Sequence, residues 1–272
     1  VITITDKEFI QLSNYIKENY GIFLKKEKKM LVEGRLQQVL EKMGFQSFTD
    51  FYQYVISDKS GNAARLLTDK ITTNHTFFMR EADHFHYLQK EILPHLSSSI
   101  KHKDLRVWCA ACSSGEEAYT LSMIIDDYFG KEKMFWDTKI LATDISSAIL
   151  ETAKTGIYNR QSIAPLPESW TKKYFETIDH NTVIVSEKLK EDVIYRKFNL
   201  MDKVYPFKKK FHVIFCRNVM IYFDNVTKDN LVEQFYNLLE NGGYLFLGHS
   251  ESIDRSKSRF KYVLPSIYQK LI

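Results

Sequence analysis

The residues with the clearest chemical potential lie in Val107–Leu121, VWCAACSSGEEAYTL, where a strand candidate runs through small residues into a helix candidate. Such a turn lets backbone approach a nucleotide-like ligand at the carboxyl edge of a strand. The glycine spacing is not G-x-G-x-x-G, and the lysine of a phosphate-binding loop is missing. Glu116 and Glu117 stand where a pyrophosphate would need positive potential, so nicotinamide and ATP are disfavoured. A ligand with a positive charge suits the turn better, and the sulfonium and amino groups of S-adenosylmethionine supply one. A plain glycine turn followed by two helix-starting acids accounts for this segment equally well. Asp144 ends the next strand candidate, placed to accept both ribose hydroxyls of an adenosine. It would serve as readily as a cap for the helix that follows.

Other candidates carry a plainer reading. Cys109-x-x-Cys112 has no second cysteine pair, so buried strand cysteines are expected and no metal. His84 and His86 share a helix, point in different directions and lack a third ligand, so both are expected in solvent. Lys25, Lys26, Lys28 and Lys29 form either a wet helix face or a docking surface for an acidic partner. Gly248-His249-Ser250-Glu251 lacks the second glycine of a nucleophile elbow.

These residues need a frame to position them. A chain of 272 residues is long enough for one large domain or two modest ones. Hydrophobic residues at 44% and charged residues at 26% describe a globular protein rather than a disordered one. Lys plus Arg exceeds Asp plus Glu by 38 − 34 = 4, too little to imply nucleic-acid binding. Neither an apolar run of membrane-span length nor a signal-peptide core at Val1–Glu8 is found. Three cysteines are too few for a disulfide framework, and a cytoplasmic setting is expected.

Up to about residue 75 the pattern is helix after helix. Thr5 with Glu8 fits a capping box, Phe9, Leu12, Ile16 and Tyr20 keep helical spacing, and Gly21 is a stop. Further helices are expected from about Lys26 to Met43, after a cap at Ser47, and from Asn62 through Ile71. From Leu105 strands alternate with helices: strands at 105–111, 139–143, 193–198, 212–216 and 244–247, with helices near 116–128, 146–154 and 228–240. Asn241-Gly242-Gly243 reads as the stop after the last of these, and Tyr262–Ile272 as a strand or hairpin broken by Pro265. The alternation predicts an α/β fold with a parallel, doubly wound sheet. About 156–192 breaks the rhythm and is read as an inserted subdomain, giving a helical domain over 1–75 and an α/β domain over 76–272.

Taken together, Thr73–Glu81 (TNHTFFMRE), Trp108–Tyr119, Ala142–Ile145, Asn199-Leu200, Ile214–Phe223 (IFCRNVMIYF) and Gly248–Glu251 resemble the chemotaxis receptor methyltransferases, the CheR family. The resemblance spans nearly the whole chain. It implies a small helical bundle followed by a Rossmann-like S-adenosylmethionine-dependent methyltransferase domain with an inserted antiparallel β-subdomain. It also implies methylation of glutamate side chains on the cytoplasmic helical region of chemoreceptors, giving methyl esters and S-adenosylhomocysteine. Carried onto this chain, cofactor contacts are expected at Asn74, Thr76, Arg80, Glu117, Asp144, Asn199, Leu200, Cys216 and Arg217. Glu116 is the lesser of the two adjacent acids. Arg80 and Tyr222 are implied nearest the reacting methyl group. One departure is Ala118, where the family turn usually carries proline; proline there is favourable and not required.

The chemistry so implied is light. A glutamate with an ordinary pKa near 4.3 is already an anion at neutral pH and needs no general base. Alignment and exclusion of water remain to be supplied. Arg80 can orient a carboxylate, although without the motif a salt bridge to Glu81 or Asp83 is the plainer reading. Two alternatives compete: a methyltransferase acting on nucleic acid or a small molecule, and a non-catalytic binding module. The first is disfavoured by the lack of an Asn/Asp-Pro-Pro-aromatic motif, the nearest run being Asn218-Val219-Met220-Ile221. Intact motif residues disfavour the second. Some family members dock a receptor's tail peptide on the inserted subdomain through a glycine-containing turn. Thr177–Val183 has no glycine, so such docking is expected to be absent or weak, with Lys25, Lys26, Lys28, Lys29 and Arg35 facing acidic receptor helices instead.

Overall fold

The computed structural model describes residues 2–271. Its first four helices are α1 (Asp6–Tyr20), α2 (Lys29–Met43), α3 (Phe48–Ser57) and α4 (Asn62–Ile71). The Thr5 hydroxyl accepts the Glu8 N–H while the Glu8 carboxylate takes the Thr5 N–H, closing the capping box. Ser47 likewise caps α3 by accepting from the Asp50 N–H. The second helix begins later than its pattern suggests, because Lys26–Lys28 form a single 3-10 turn first. Leu12, Ile16, Leu36, Leu40, Phe48, Phe51 and Leu67 make the bundle's own core.

The second domain opens with α5 (Ala82–Tyr87), which passes through one π turn at Leu88–Ile92 into α6 (Leu93–Ser99). The strands that follow are β1 (Val107–Ala110), β2 (Ile140–Asp144), β3 (Ile157–Asn159), β4 (Phe175–Thr177), β5 (Thr182–Val185), β6 (Val193–Lys197), β7 (Phe211–Cys216), β8 (Leu239–Leu247), β9 (Lys261–Leu264) and β10 (Ile267–Gln269). Between them lie α7 (Glu116–Phe129), α8 (Ser147–Thr155), α9 (Glu168–Tyr174), α10 (Glu187–Glu191) and α11 (Asn225–Leu238). The main sheet runs β6-β2-β1-β7-β8-β10-β9. Its first five strands are parallel, and β10 and β9 form an antiparallel hairpin on the end. The expected parallel sheet is thus a mixed one, turned at Pro265 by the hairpin.

Strand alternation divides the core between the two faces. Cys109, Phe215 and Phe246 pack on one face with α5 and α7, while Trp108, Ile214 and Leu245 pack on the other with Phe235 of α11. Phe85, Phe215 and Phe246 stack in series, with ring centroids 5.7 and 4.2 Å apart. Inside the break at 156–192, β3-β5-β4 form a separate three-stranded antiparallel sheet. The turn between β4 and β5 has no residue at positive φ and is held by Arg160, which donates to the His180 and Asp179 carbonyls. That geometry explains how it manages without glycine.

One boundary differs in kind. Asn241-Gly242-Gly243 does not follow the last helix but lies inside β8. Leu239 already extends into the sheet, and the register jumps from Phe211↔Leu239 to Val213↔Tyr244. Gly242, at φ +80°, allows this irregularity.

Candidate functional site

The carboxyl ends of β1, β2 and β7 open onto a cleft of about 410 Å³, closed on its other side by the helical bundle. This volume falls in the range of roughly 300–1,000 Å³ usual for small-molecule sites. Direct contacts tie the bundle across it. The Phe23 N–H donates to the Tyr222 carbonyl at 2.7 Å, next to an antiparallel bridge between Ile22 and Phe223. Asn199 donates to the Asn19 carbonyl, the Ser146 hydroxyl to Asp69 at 2.6 Å, and Lys17 pairs with Asp224 at 2.7 Å. Gly21, just before the Ile22–Phe223 bridge, takes φ +73°, and a Cβ there would crowd the Met201 side chain, 2.5 Å from its sulfur.

The turn after β1 is sharply bent. Ala111, Ser113 and Gly115 all take positive φ, and a Cβ on Gly115 would meet the Tyr195 hydroxyl at 2.8 Å. Asp144 holds this turn. Its two carboxylate oxygens accept the Ser113 N–H at 2.9 Å and the Ser146 N–H at 3.0 Å. Burial pushes its pKa up against those hydrogen bonds. The cap of α8 is Ser146, whose hydroxyl accepts the Ile149 N–H, so Asp144 is free to face the cleft. The Ser113 hydroxyl also donates to the Asn74 carbonyl, fastening the segment between the domains to the turn.

The opposite wall is built on charge. The Arg217 side chain is wholly buried, with Nη2 3.0 Å from Glu81 and Nη1 3.2 Å from Glu117, and it lies over the Phe85 ring. Nη1 is too poorly aligned with Glu117 for a hydrogen bond, and Nη1 and Nε have no hydrogen-bond partner in the protein. A buried guanidinium is tolerated only when its charge is compensated. Burial pushes the Glu117 carboxyl up, and Arg217 and the Cys109 thiol counter it. Burial acts on Glu81 too, but hydrogen bonding from Asn218 and the Arg217 charge win and lower its pKa. The Asn218 and Gly248 N–H groups, with that of Ile221, all donate to the Glu251 carboxylate, which fixes the loop after β7.

Asn74, Thr76, Arg80, Glu117, Asp144, Asn199, Leu200, Arg217 and Tyr222 all line this one cleft. Cys216 does not. Strand alternation sends its side chain to the core with Ile214 and Leu247, where burial pushes its thiol pKa up. Glu116, the lesser of the adjacent acids, accepts from the Ser114 hydroxyl at 2.6 Å away from the cleft. Arg80 donates to the His75 carbonyl at 2.7 Å rather than bridging to Glu81 or Asp83, which pair with Arg217 and His249.

His84 is a second correction. Expected in solvent, it is 1% exposed, its ring against Phe246 and His249, because Phe85 and Leu88 draw that face of α5 onto the sheet. Burial, then the Arg217 charge, lowers its pKa to about 4. His86 is exposed. Arg35 is also not free for a partner: its guanidinium donates to the Ile71 and Thr72 carbonyls and the Thr73 hydroxyl. The partnership of Glu81 with Arg217 spans 136 residues, and only their inclusion in two motifs hinted at it.

Residues 7–72 match the family model of the CheR methyltransferase all-alpha domain, and residues 74–268 that of the CheR methyltransferase SAM binding domain. The chain belongs to the CheR methyltransferase family. A chemotaxis protein methyltransferase of Borreliella burgdorferi is 42% identical over 99% of this chain and 96% of that protein. Chemotaxis protein methyltransferase 2 of Vibrio cholerae is 35% identical, covering 95% and 90%, and Cher2 of Pseudomonas putida 34%, covering 96% and 97%. S-adenosylmethionine is therefore the cofactor of this CheR domain, and methylation in chemotaxis its activity. The cleft fits that molecule chemically: unpartnered Arg217 donors suit a carboxylate, and Glu117 and Asp144 suit an ammonium and a ribose. Among the described residues no helix is long and apolar enough to cross a membrane.

Proposed function

We propose that this CheR protein, acting in the cytoplasm, esterifies glutamate side chains on the helical cytoplasmic region of chemoreceptors. The observation that carries the reading is the cleft itself. Arg80 and Tyr222 line it together with Asp144 and the Arg217–Glu117 ion pair, which supports a cofactor and a carboxylate substrate meeting there. When bound, S-adenosylmethionine supplies an electrophilic methyl group. A substrate glutamate is already an anion at neutral pH, so accepting that methyl group would require no proton transfer from the protein's residues.

The protein's share is positional. Asp144 holds the ribose through carboxylate oxygens already oriented by Ser113 and Ser146, while Asn199 and Leu200 border the base. Asn74, Thr76 and Arg217 hold the amino-acid end, with Glu117 facing its ammonium. Arg80 directs the incoming carboxylate, its guanidinium anchored by the His75 carbonyl and lying near the Phe77 ring. The bundle helps to shield the site from water. A misplacement of about 1 Å at such a site costs on the order of 100-fold in rate. Arg80→Ala and Tyr222→Phe should therefore lower labelled-methyl transfer to receptor-containing membranes about that much, with folding retained. A variant that methylates at the unaltered rate sinks its catalytic assignment.

A further inference from the structure

We propose that Glu81, His84 and His249 form a binding site for a divalent transition-metal cation of the zinc class, behind the Arg217 wall of the cleft. One carboxylate oxygen and one ring nitrogen from each histidine all lie within 4.8 Å of one another. His84 gives the strongest indication. Its side chain is 1% exposed, yet neither Nδ1 nor Nε2 has a hydrogen-bond partner. A buried polar group without a partner is costly, and buried imidazoles are ordinarily satisfied. The Glu81 carboxylate, 3.7 Å from Nδ1, is beyond hydrogen-bond reach. A metal bond would satisfy the ring nitrogen that carries the lone pair.

The surroundings fit the same ligand. His249 is half exposed and its ring contacts that of His84, with centroids 4.7 Å apart. Asp83, 3.1 Å from its Nε2, steadies it, as carboxylates do for imidazoles that hold metals. Glu81 sits at φ +57°, a left-handed conformation that a non-glycine residue keeps only where its surroundings impose it. Two imidazoles and a carboxylate are zinc donors, and the solvent side of His249 leaves a fourth position for water. Bonds of about 2.1 Å would bring the donors to roughly 3.4 Å apart, so the widest of the present separations must close by up to about 1.4 Å. The exposed His249 ring is the part free to move. Arg217 shares Glu81, so cation and guanidinium compete for one carboxylate. Occupancy should then weaken cofactor binding; this consequence, unlike the site, rests on the cofactor role proposed for Arg217.

The test is cobalt titration of the metal-free full chain carrying no histidine tag. The site requires one cobalt per chain, visible absorption of a four-coordinate ion, and displacement by zinc. His249→Ala should weaken binding by about tenfold or more. His84→Phe, folded by circular dichroism, should abolish the absorption. Cobalt binding that is undetectable, or equal in the unaltered protein and His249→Ala, overturns the site. Calorimetry with S-adenosylhomocysteine reads the coupling: saturating zinc should lower affinity several-fold in the unaltered protein and leave His249→Ala unaffected. Specific metal binding with unchanged affinity for S-adenosylhomocysteine overturns the competition alone.

Discussion

The two walls of the cleft satisfy largely buried acids by different means. On the β1–β2 side, Asp144 is met by two backbone N–H groups within two and thirty-one residues of it. On the β7 side, Glu81 and Glu117 are met by the guanidinium of Arg217, whose own charge is buried. Backbone donors are neutral dipoles fixed by a turn, and losing their acceptor costs desolvated hydrogen bonds. A buried guanidinium is a full charge, and losing it strands two carboxylates. The first wall should therefore fail locally, at the ligand, and the second globally, in the fold.

Arg217→Met breaks the comparison hardest. It should destabilise the protein by about 3–5 kcal/mol, as removal of one partner from a buried ion pair does. Adding Glu117→Gln should recover part of that loss, since one stranded charge disappears. Urea denaturation measures both. A loss under about 1 kcal/mol would mean that the two walls do not differ as described.

Asp144→Ala comes next. Cofactor affinity should fall by about 1.5–3 kcal/mol, through loss of charge-assisted hydrogen bonds to ribose. Stability should fall less than in Arg217→Met, because the change leaves two neutral backbone donors without an acceptor rather than two carboxylates without their counter-charge. Unchanged binding in calorimetry would remove Asp144 from the site.

How much of this was legible follows the same division. The turn after β1 and Asp144 are local, written within Val107–Ile145 as small residues after an apolar strand and an acid after the next. The capping box at Thr5 and the stop at Gly21 were local too. The Glu81–Arg217 pair and the buried His84 depend on which helix face meets the sheet, and no spacing within α5 shows that Phe246 lies beneath it. Cys216 was misplaced for a related reason: a motif identifies a residue, while strand alternation decides where its side chain points. The glycines at 242 and 243 misled because a bulge and a helix stop use the same residue type.

Acid should sharpen the contrast by a smaller amount. Burial lowers both His84 and His212 to about 4, helped by the Arg217 and Arg106 charges respectively. Between the ordinary value near 6.5 and about 4, the unfolded chain binds protons that the folded one does not. Stability therefore falls as pH drops through that window, by up to about 1.4 kcal/mol per pH unit for each group. His84→Phe should flatten the slope, and so should His212→Gln. A denaturation series from pH 7 to 4.5 with equal slopes in all three proteins would contradict the burial argument.

The smallest effect concerns the rim, where the bundle meets solvent. Of the basic run, Lys29 and Lys26 already pair with Asp6, at 2.6 and 3.7 Å, whereas exposed Lys25 and Lys28 line the cleft mouth. Arg35 is committed to the segment joining the domains. Only two members of the run are thus both exposed at the cleft and unengaged by Asp6. Exposed ion pairs contribute about 0.2–1 kcal/mol each and are screened over about 8 Å at physiological salt. Lys25→Glu with Lys28→Glu should slow receptor methylation a few-fold, more at low salt than at high, and Lys26→Glu should do less. The inserted sheet offers a second route for a receptor, through strand addition at its edge. Its β4–β5 turn is closed by Asp179 and Arg160 without any positive φ, unlike a glycine-shaped docking turn. Receptors with and without their C-terminal tails should therefore be methylated at similar rates, and the charge reversal should slow both alike. A strong dependence on the tail would place recognition on the inserted sheet instead of the bundle.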